Sequence, residues 1–163
     1  MSSANEICFM SARSLADAIR DRSISAREVM TTVLNQITDV NPKINAIVAK
    51  LDDQKCLAPA DQADRRLAQG NAIGPLHGLP FAFKDLDPAV GFPMTRGSPS
   101  FRDFMPAADS VLVERLKRTG VIPIGKTNVS EFGMGSHTYN EVYGITLNPY
   151  DLTKSAGGSS GGA

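Results

Sequence analysis

The chain has 163 residues, and its 17 basic and 17 acidic side chains leave a formal net charge of zero. Hydrophobic residues make up 42% of the sequence, which is ordinary for a globular protein and enough to bury a core. The balanced charge argues against nucleic acid and against an anionic membrane as partners, since both reward a basic surplus.

The first predicted element is a short helix within "SLADAIRDRSIS". Ser14 is placed to cap its amino terminus, because a serine hydroxyl can accept a hydrogen bond from a free backbone N–H of the first turn. The apolar residues recur at helical intervals and predict one buried face, formed by Leu15, Ala18 and Ile19.

A second helix is predicted to begin at Ser25. Ser25 and Glu28 have the spacing of a capping box, in which the two side chains satisfy backbone N–H groups reciprocally. Asn41-Pro42 is expected to end this helix, because proline lacks the backbone donor. The expected inner face comprises Val29, Val33 and Ile37.

Two further elements complete the predicted helical opening, residues 1–70. "INAIVAKL" is apolar enough for a buried strand. Residues 54–68 are rich in alanine, leucine and arginine and predict a third helix, which Gly70 closes.

The next segment, residues 79–125, predicts a strand, a helix and a strand. "LPFAFKD" indicates a buried strand that ends in charge, and "VIPIG" a second short strand. Between them, Asp109 or Ser110 caps the helix "SVLVERLKRTG", which Gly120 ends. The helix is expected to turn Val111, Leu112 and Leu116 inward. This order points to α/β architecture.

The remainder carries little regular structure by prediction. "TNVSEFGMG" is expected to form one helical turn, and the rest is assigned to loops. No internal repeat is present, and nothing in the last residues indicates the end of a domain.

Residues 120–127, "GVIPIGKT", formally match the phosphate-binding pattern G-x-x-x-x-G-K-[ST]. A phosphate loop follows a strand and presents a row of backbone N–H groups. Here Gly120 ends a helix, the intervening residues suit a strand core, and Pro123 has no N–H. "GMGSHT" starts like a dinucleotide motif but lacks its third glycine. Nucleotide binding is therefore not expected.

The histidines and cysteines indicate neither a metal site nor a disulfide. His77 and His137 are isolated, and loop or packing roles suit them better than metal ligation. Cys8 and Cys56 are far apart without a C-x-x-C pattern, which indicates free thiols in a reducing cytoplasm. The amino terminus lacks a secretory signal, and no apolar run could span a bilayer.

Lys84 is unusual because it follows the apolar run "LPFAF". A lysine at the end of a buried strand is partly desolvated, which favours the neutral amine. A neutral amine can act as a general base, whereas a solvated ammonium cannot. The alternative is that Lys84 reaches solvent or pairs with Asp85 or Asp87.

The last residues, "SAGGSSGGA", place Ser159 and Ser160 between two glycine pairs. Glycine allows such a loop to approach a ligand or another side chain closely. A serine paired with a lysine is an established alternative to a serine paired with a histidine for generating a nucleophile. Lys84 and one of these serines are therefore candidates for a shared site.

Four blocks in this order resemble the amidase signature family, and they cover roughly residues 74–163: "GPLHGLPFAFKD", "TRGS", "DSVLVERLKRTGVIPIGKTNVSEFGMGSHTYN" and "NPYDLTKSAGGSSGGA". The resemblance implies an α/β fold in which helices flank a twisted mixed sheet. It also implies hydrolysis of a carboxylic amide through a Ser-Ser-Lys triad and an acyl-enzyme, without metal or organic cofactor. Position 156 departs from the family, which often has proline there.

The resemblance also implies roles for individual residues. Lys84 matches the uncharged base, and Ser159 matches the bridging serine, which follows a cis peptide bond in the family. Gly133 and Met134 match a segment that lines the substrate pocket, and we assign Ser160 to substrate binding as well. In the family the nucleophilic serine and the oxyanion donors lie in a second glycine-rich block further along.

We therefore expect residues 1–163 to be the amino-terminal portion of a single amidase domain, with residues 71–163 as the first part of its catalytic core. Residues 1–163 alone are expected to be inactive. The expected partner is a small amide, with a homodimer left open. Two alternatives remain: the A subunit of the tRNA-dependent glutamine amidotransferase, and a catalytically dead paralogue that acts as an interaction module.

Overall fold

The computed structural model of the protein describes residues 4–163. Within this range the backbone forms helices and short strands of a mixed α/β protein, as predicted. The five α-helices are Ala4–Phe9 (α1), Ala12–Arg20 (α2), Ala26–Ile44 (α3), Asp53–Ala68 (α4) and Val111–Arg118 (α5). The six strands are Pro80–Lys84 (β1), Ile122–Thr127 (β2), Tyr139–Asn140 (β3), Gly144–Ile145 (β4), Leu147–Asn148 (β5) and Asp151–Ser155 (β6).

The described residues form two compact units. The first comprises residues 4–38, 51–81 and 115–124 and contains most of the helices. Its helices are joined by polar contacts as well as apolar ones, since the Asp64 carboxylate of α4 accepts from the Ala26 and Arg27 N–H groups at the start of α3. The core of this unit includes Ile19, Ala26, Val29, Met30, Cys56 and Ala60.

The second unit comprises residues 39–50, 82–114 and 125–163. Its apolar core is accompanied by a set of buried polar side chains, and these include Asp85, Thr95, Lys126, Asn128, Thr138, Asn140 and Thr146. Each such group must find a partner, because an unpaired polar atom in the interior is costly. Every residue of the predicted site lies in this unit.

Strands β1 and β2 pair in a two-stranded sheet. Ile122 N–H donates to the Leu79 carbonyl at one end, and Asp85 N–H donates to the Thr127 carbonyl at the other, so the strands are parallel. The intervening α5 completes a strand–helix–strand unit, as the sequence predicted. The residues of the apparent phosphate-binding pattern are mostly part of β2, which confirms that this pattern is not a phosphate loop.

Helices α2 and α3 depart from prediction at their ends. Ser11, not Ser14, caps α2, because Ser11 lies one turn earlier and accepts from Ser14 N–H. The capping contact from Glu28 N–H to the Ser25 hydroxyl confirms the predicted start of α3. Helix α3 continues through Pro42 to Ile44, because a proline in the last turn interrupts little of the remaining hydrogen bonding.

The inner faces of three helices also differ from prediction. Ala16, not Ala18, is buried with the other predicted residues of α2. In α3, Met30 and Leu34 are buried and the predicted Val33 and Ile37 are only half-buried. In α5 the buried residue is Val113, whereas Val111 and Leu112 are exposed. Helical periodicity identifies an apolar face but not the neighbouring element that covers it.

One predicted strand and one loop assignment need correction. "INAIVAKL" forms no regular strand, although Val48 N–H donates to the Lys126 carbonyl of β2 and Ile47 makes an isolated bridge with Thr127. Residues assigned to loops form two antiparallel pairs, β3 with β4 and β5 with β6. Such short pairs carry too little alternation of apolar and polar residues to be predicted. The predicted helical turn corresponds to the short 3-10 turn Glu131–Gly133, but Phe132 at its centre has non-helical backbone angles, φ 51° and ψ 18°.

Two glycines with similar φ angles, Gly120 in the first unit and Gly91 in the second, test how tightly the chain packs around Gly120. Gly120 has φ 94°, and a Cβ there would lie 2.8 Å from the His77 Cα. Gly91 has φ 92°, and a Cβ there would meet nothing within 4 Å. Gly91→Ala is therefore expected to cost about 1–2 kcal/mol from backbone strain alone. Gly120→Ala should cost about 1 kcal/mol or more in addition, because His77 must move.

Urea unfolding of the full-length protein measures this difference between the two glycine variants. Equal losses of unfolding free energy in the two variants would show that the backbone around His77 moves away from the added Cβ at no cost in stability.

No helix among the described residues is both long and apolar enough to cross a bilayer.

Candidate active site

Lys84 and Ser159 meet in the second unit although 75 positions separate them in sequence. Lys84 is the last residue of β1, so its side chain lies at the end of the strand. Its Nζ donates a hydrogen bond to Ser159 Oγ at 3.0 Å. Both residues are half-buried. The predicted base and relay are therefore within proton-transfer distance.

The glycine-serine loop, residues 156–161, presents Ser159. The Gly158–Ser159 peptide bond is cis, as the resemblance implied. A Cβ on Gly158 would lie 2.8 Å from both the Gly135 carbonyl oxygen and Ser130 Oγ. The loop can therefore take this path only with glycine at position 158.

The 3-10 turn Glu131–Gly133 lies beside Ser159. Phe132 has φ 51°, and its N–H donates to the Arg96 carbonyl at 2.7 Å. A Cβ on Gly133 would lie 3.8 Å from Ser159 Oγ and 2.7 Å from Leu86 Cδ1. Gly133 is therefore next to the predicted relay, where its missing side chain leaves the hydroxyl accessible.

A cavity of 440 Å³ opens along this turn, and Met134, a residue that is 74% exposed, lines it. The wall combines apolar and polar groups, which suits an organic ligand that also makes a few hydrogen bonds. Ser160 lies elsewhere, in a recess of 280 Å³ formed with Tyr150 and other residues. The structure thus places Gly133 beside the predicted relay and Met134 in the wall of the cavity along the same turn, whereas Ser160 lies in a different concavity.

Asp85 follows Lys84 in the sequence and is attracted to Lys126. This pair of opposite charges was not predicted from the sequence. Asp85 and Lys126 are both fully buried. Burial raises the pKa of the Asp85 carboxyl, while a hydrogen bond from Thr95 and attraction to Lys126 lower it. Burial lowers the pKa of the Lys126 amine, while attraction to Asp85 and Asp87 raises it. Each residue thus favours the charged form of the other against desolvation.

Asp85 and Lys126 also hold the chain that follows Lys84. Asp85 accepts from Thr95 N–H at 3.2 Å and from the Thr95 hydroxyl at 2.5 Å. The Lys126 amine donates to the Asp87 carbonyl. Lys84 itself bonds to Ser159, so the structure favours the shared-site interpretation over pairing with a neighbouring aspartate. The signal in the sequence was the lysine within "IPIGKT", a charge inside an otherwise apolar strand.

The histidines and cysteines take structural positions. His77 is buried, and its Nε2 lies 3.0 Å from the Ala63 carbonyl oxygen. His137 is exposed, with Nδ1 2.9 Å from Ser155 Oγ. Cys8 and Cys56 are free thiols. Among the described residues, no three His, Cys, Asp or Glu side chains are grouped so as to hold a metal ion.

Comparison with known proteins places this geometry in a family. The family model described as "Amidase" matches residues 28–163. The A subunit of glutamyl-tRNA(Gln) amidotransferase from Bdellovibrio bacteriovorus is 37% identical over 97% of this chain and 32% of its own length. Indoleacetamide hydrolase from Bradyrhizobium diazoefficiens is 40% identical over 94% of this chain and 29% of its own length.

A solved structure agrees with the sequence matches. A bacterial aryl acylamidase, described as belonging to the amidase signature enzymes, superposes with a TM-score of 0.86 at 30% identity, covering 95% of this chain and 32% of its own. The matches define one class, the amidase-signature enzymes, and confirm the predicted fold. The chain belongs to the amidase family. It spans about a third of the length of the curated relatives it matches.

Proposed function

We propose that the protein hydrolyses carboxylic amides, with Lys84 as the general base and Ser159 as the proton relay. The observation that carries this proposal is the 3.0 Å hydrogen bond between Lys84 Nζ and Ser159 Oγ. Lysine suits this role only as a neutral amine, because an ammonium group has no lone pair with which to accept a proton.

In the proposed reaction, the neutral Lys84 amine takes the Ser159 hydroxyl proton while Ser159 takes a proton from a nucleophilic hydroxyl. That oxygen attacks the amide carbon, and the tetrahedral intermediate expels the amine, which leaves with a proton returned through the same pair. Water then attacks the acyl carbon while Ser159 takes a proton from it and passes its own to Lys84. The second tetrahedral intermediate expels the nucleophile oxygen, which takes a proton back through the same pair. The family resemblance assigns the nucleophile to a second serine in a glycine-rich block further along.

The cavity along the Glu131–Gly133 turn supports an organic amide as substrate. Its walls include Phe132, Met134 and Tyr139, and Gly133 at the end of the same turn lies beside Ser159. These side chains could contact an apolar substituent of the amide while backbone groups orient its polar end. The substrate is proposed to be a small or aryl amide that occupies this cavity.

A second candidate is a glutamine amidotransferase A subunit, which would hydrolyse glutamine and pass ammonia to a partner. It is supported by the 37% identity to the Bdellovibrio bacteriovorus subunit. The 40% identity to indoleacetamide hydrolase supports the free-standing enzyme to a similar degree. Glutaminase activity of the full-length protein that depends on partner subunits and tRNA would favour the amidotransferase.

Ser159→Ala in the full-length protein tests the relay. Removing the hydroxyl separates Lys84 from the nucleophile, so kcat for an amide substrate is expected to fall by about 10²- to 10³-fold. Steady-state turnover of benzamide, p-nitroacetanilide and glutamine provides the measurement, with Ser100→Ala as the control because Ser100 is an exposed serine. A Ser159→Ala variant with wild-type kcat would remove Ser159 from the proposed mechanism.

A further inference from the structure

We propose that Thr138 is a positioning residue, whose hydroxyl holds the glycine-serine loop in the conformation that presents Ser159 to Lys84. This inference rests on the proposed function, because it assigns Thr138 a part in the use of Ser159. The evidence for it is a set of hydrogen bonds made by the Thr138 hydroxyl, which lies outside the predicted site. Thr138 is fully buried and lies in the segment that follows the 3-10 turn Glu131–Gly133.

The Thr138 hydroxyl bridges the loop on both sides of Ser159. Its Oγ1 donates to the Gly157 carbonyl at 3.0 Å and accepts from the Gly161 N–H at 3.1 Å. A hydroxyl can do both at once, since it offers one donor and two acceptor positions. One atom therefore ties the residue two positions before Ser159 to the residue two positions after it.

Backbone hydrogen bonds hold the incoming half of the same loop. Thr138 N–H donates to the Ala156 carbonyl at 3.1 Å, and Gly158 N–H donates to the Ser136 carbonyl at 2.7 Å. These bonds reach the chain before Ser159. After Ser159, the Gly162 N–H donates to the Asn128 carbonyl at 3.4 Å, and the Thr138 hydroxyl adds a shorter bond one residue nearer to Ser159, at Gly161.

The approach between Thr138 and Gly161 is close. A Cβ on Gly161 would lie 2.1 Å from Thr138 Oγ1, so the contact requires glycine at position 161. This close approach explains why the second glycine pair has a glycine at position 161. The loop can fold back against Thr138 only where it has no side chain.

The expected consequence follows from the dependence of proton transfer on distance. Ser159 must stay within hydrogen-bond reach of Lys84, and a misplacement of about 1 Å can cost roughly 10²-fold in rate. Valine has nearly the shape of threonine but lacks the hydroxyl, so Thr138→Val removes both loop contacts with little change in packing. Thr138→Ser keeps the hydroxyl and removes only a methyl group.

The test compares these two variants in the full-length protein. Thr138→Val is expected to lower kcat about 10- to 100-fold while KM changes little, and Thr138→Ser should keep kcat within about threefold. The substrate is whichever of benzamide, p-nitroacetanilide and glutamine the wild type turns over fastest. Hydrogen exchange at the Gly161 amide is measured in parallel, and it should be faster in Thr138→Val because this N–H loses its acceptor.

Thr153→Val is the matched control, because the Thr153 hydroxyl bonds to Asp151 in the exposed β6 strand instead of the loop. Wild-type kcat in Thr138→Val would overturn the proposal, and so would equal loss in the serine and valine variants. If the wild type and Lys84→Ala are equally inactive towards all three amides, the proposed function fails, and the catalytic role of Thr138 with it. The Gly161 exchange rate then still reports whether the hydroxyl restrains the loop.

Discussion

Lys84→Ala in the full-length protein is expected to lower kcat for amide hydrolysis by about 10⁴-fold or more, since it removes the group that accepts the proton. Lys84→Arg is expected to fail as completely, because a guanidinium does not lose its proton near neutral pH. The arginine variant keeps length and positive charge, and it therefore separates the need for a base from the need for a cation.

Single-turnover and steady-state assays of the same amides measure both Lys84 variants. The control is Lys154→Ala, because Lys154 is 73% exposed and pairs with Asp151 at 3.1 Å on the surface of β6. Near-normal rates in either Lys84 variant would mean that Lys84 has a structural role, and the hydrogen bond to Ser159 would then need another explanation.

Lys126→Met is expected to reduce the free energy of unfolding by about 3–5 kcal/mol, which is typical when one partner of a buried charge pair is removed. The reason is that Asp85 would remain fully buried without its attraction to a cation. Methionine has a similar length and fills the space of the lysine stem, so the loss reports the ammonium group, with its charge and its hydrogen bond to the Asp87 carbonyl, rather than volume. Urea unfolding of the full-length protein measures it.

A double-mutant cycle with Asp85→Asn checks the origin of this loss. If Lys126 stabilises the fold through its attraction to Asp85, Lys126→Met should lower the free energy of unfolding by less in the Asp85→Asn background. In that background no buried carboxylate is left without a cation. Lys154→Met provides the exposed counterpart and is expected to change stability by about 1 kcal/mol or less. A loss of similar size at Lys126 and Lys154 would show that Asp85 does not depend on Lys126.

Much of the local structure was predictable from short-range signals. The serine cap at Ser25, the glycine after α4, and the strand–helix–strand order of residues 79–125 were all confirmed. These features depend on contacts within a few residues, which is why composition and spacing reveal them. The same signals failed where the burial of a side chain depends on neighbouring elements of the fold. Val111 and Leu112 fit the helical periodicity and yet are exposed.

The candidate site, too, was predictable from the sequence only in part. The residues themselves make Lys84 a candidate base and Ser159 a candidate partner, since one ends an apolar strand and the other lies in a glycine-rich loop. Their 3.0 Å separation and the role of Thr138 depend on chain folding, because the contacts join residues 75 and 23 positions apart, respectively. No local pattern encodes such distances, and only the packed chain brings these atoms together.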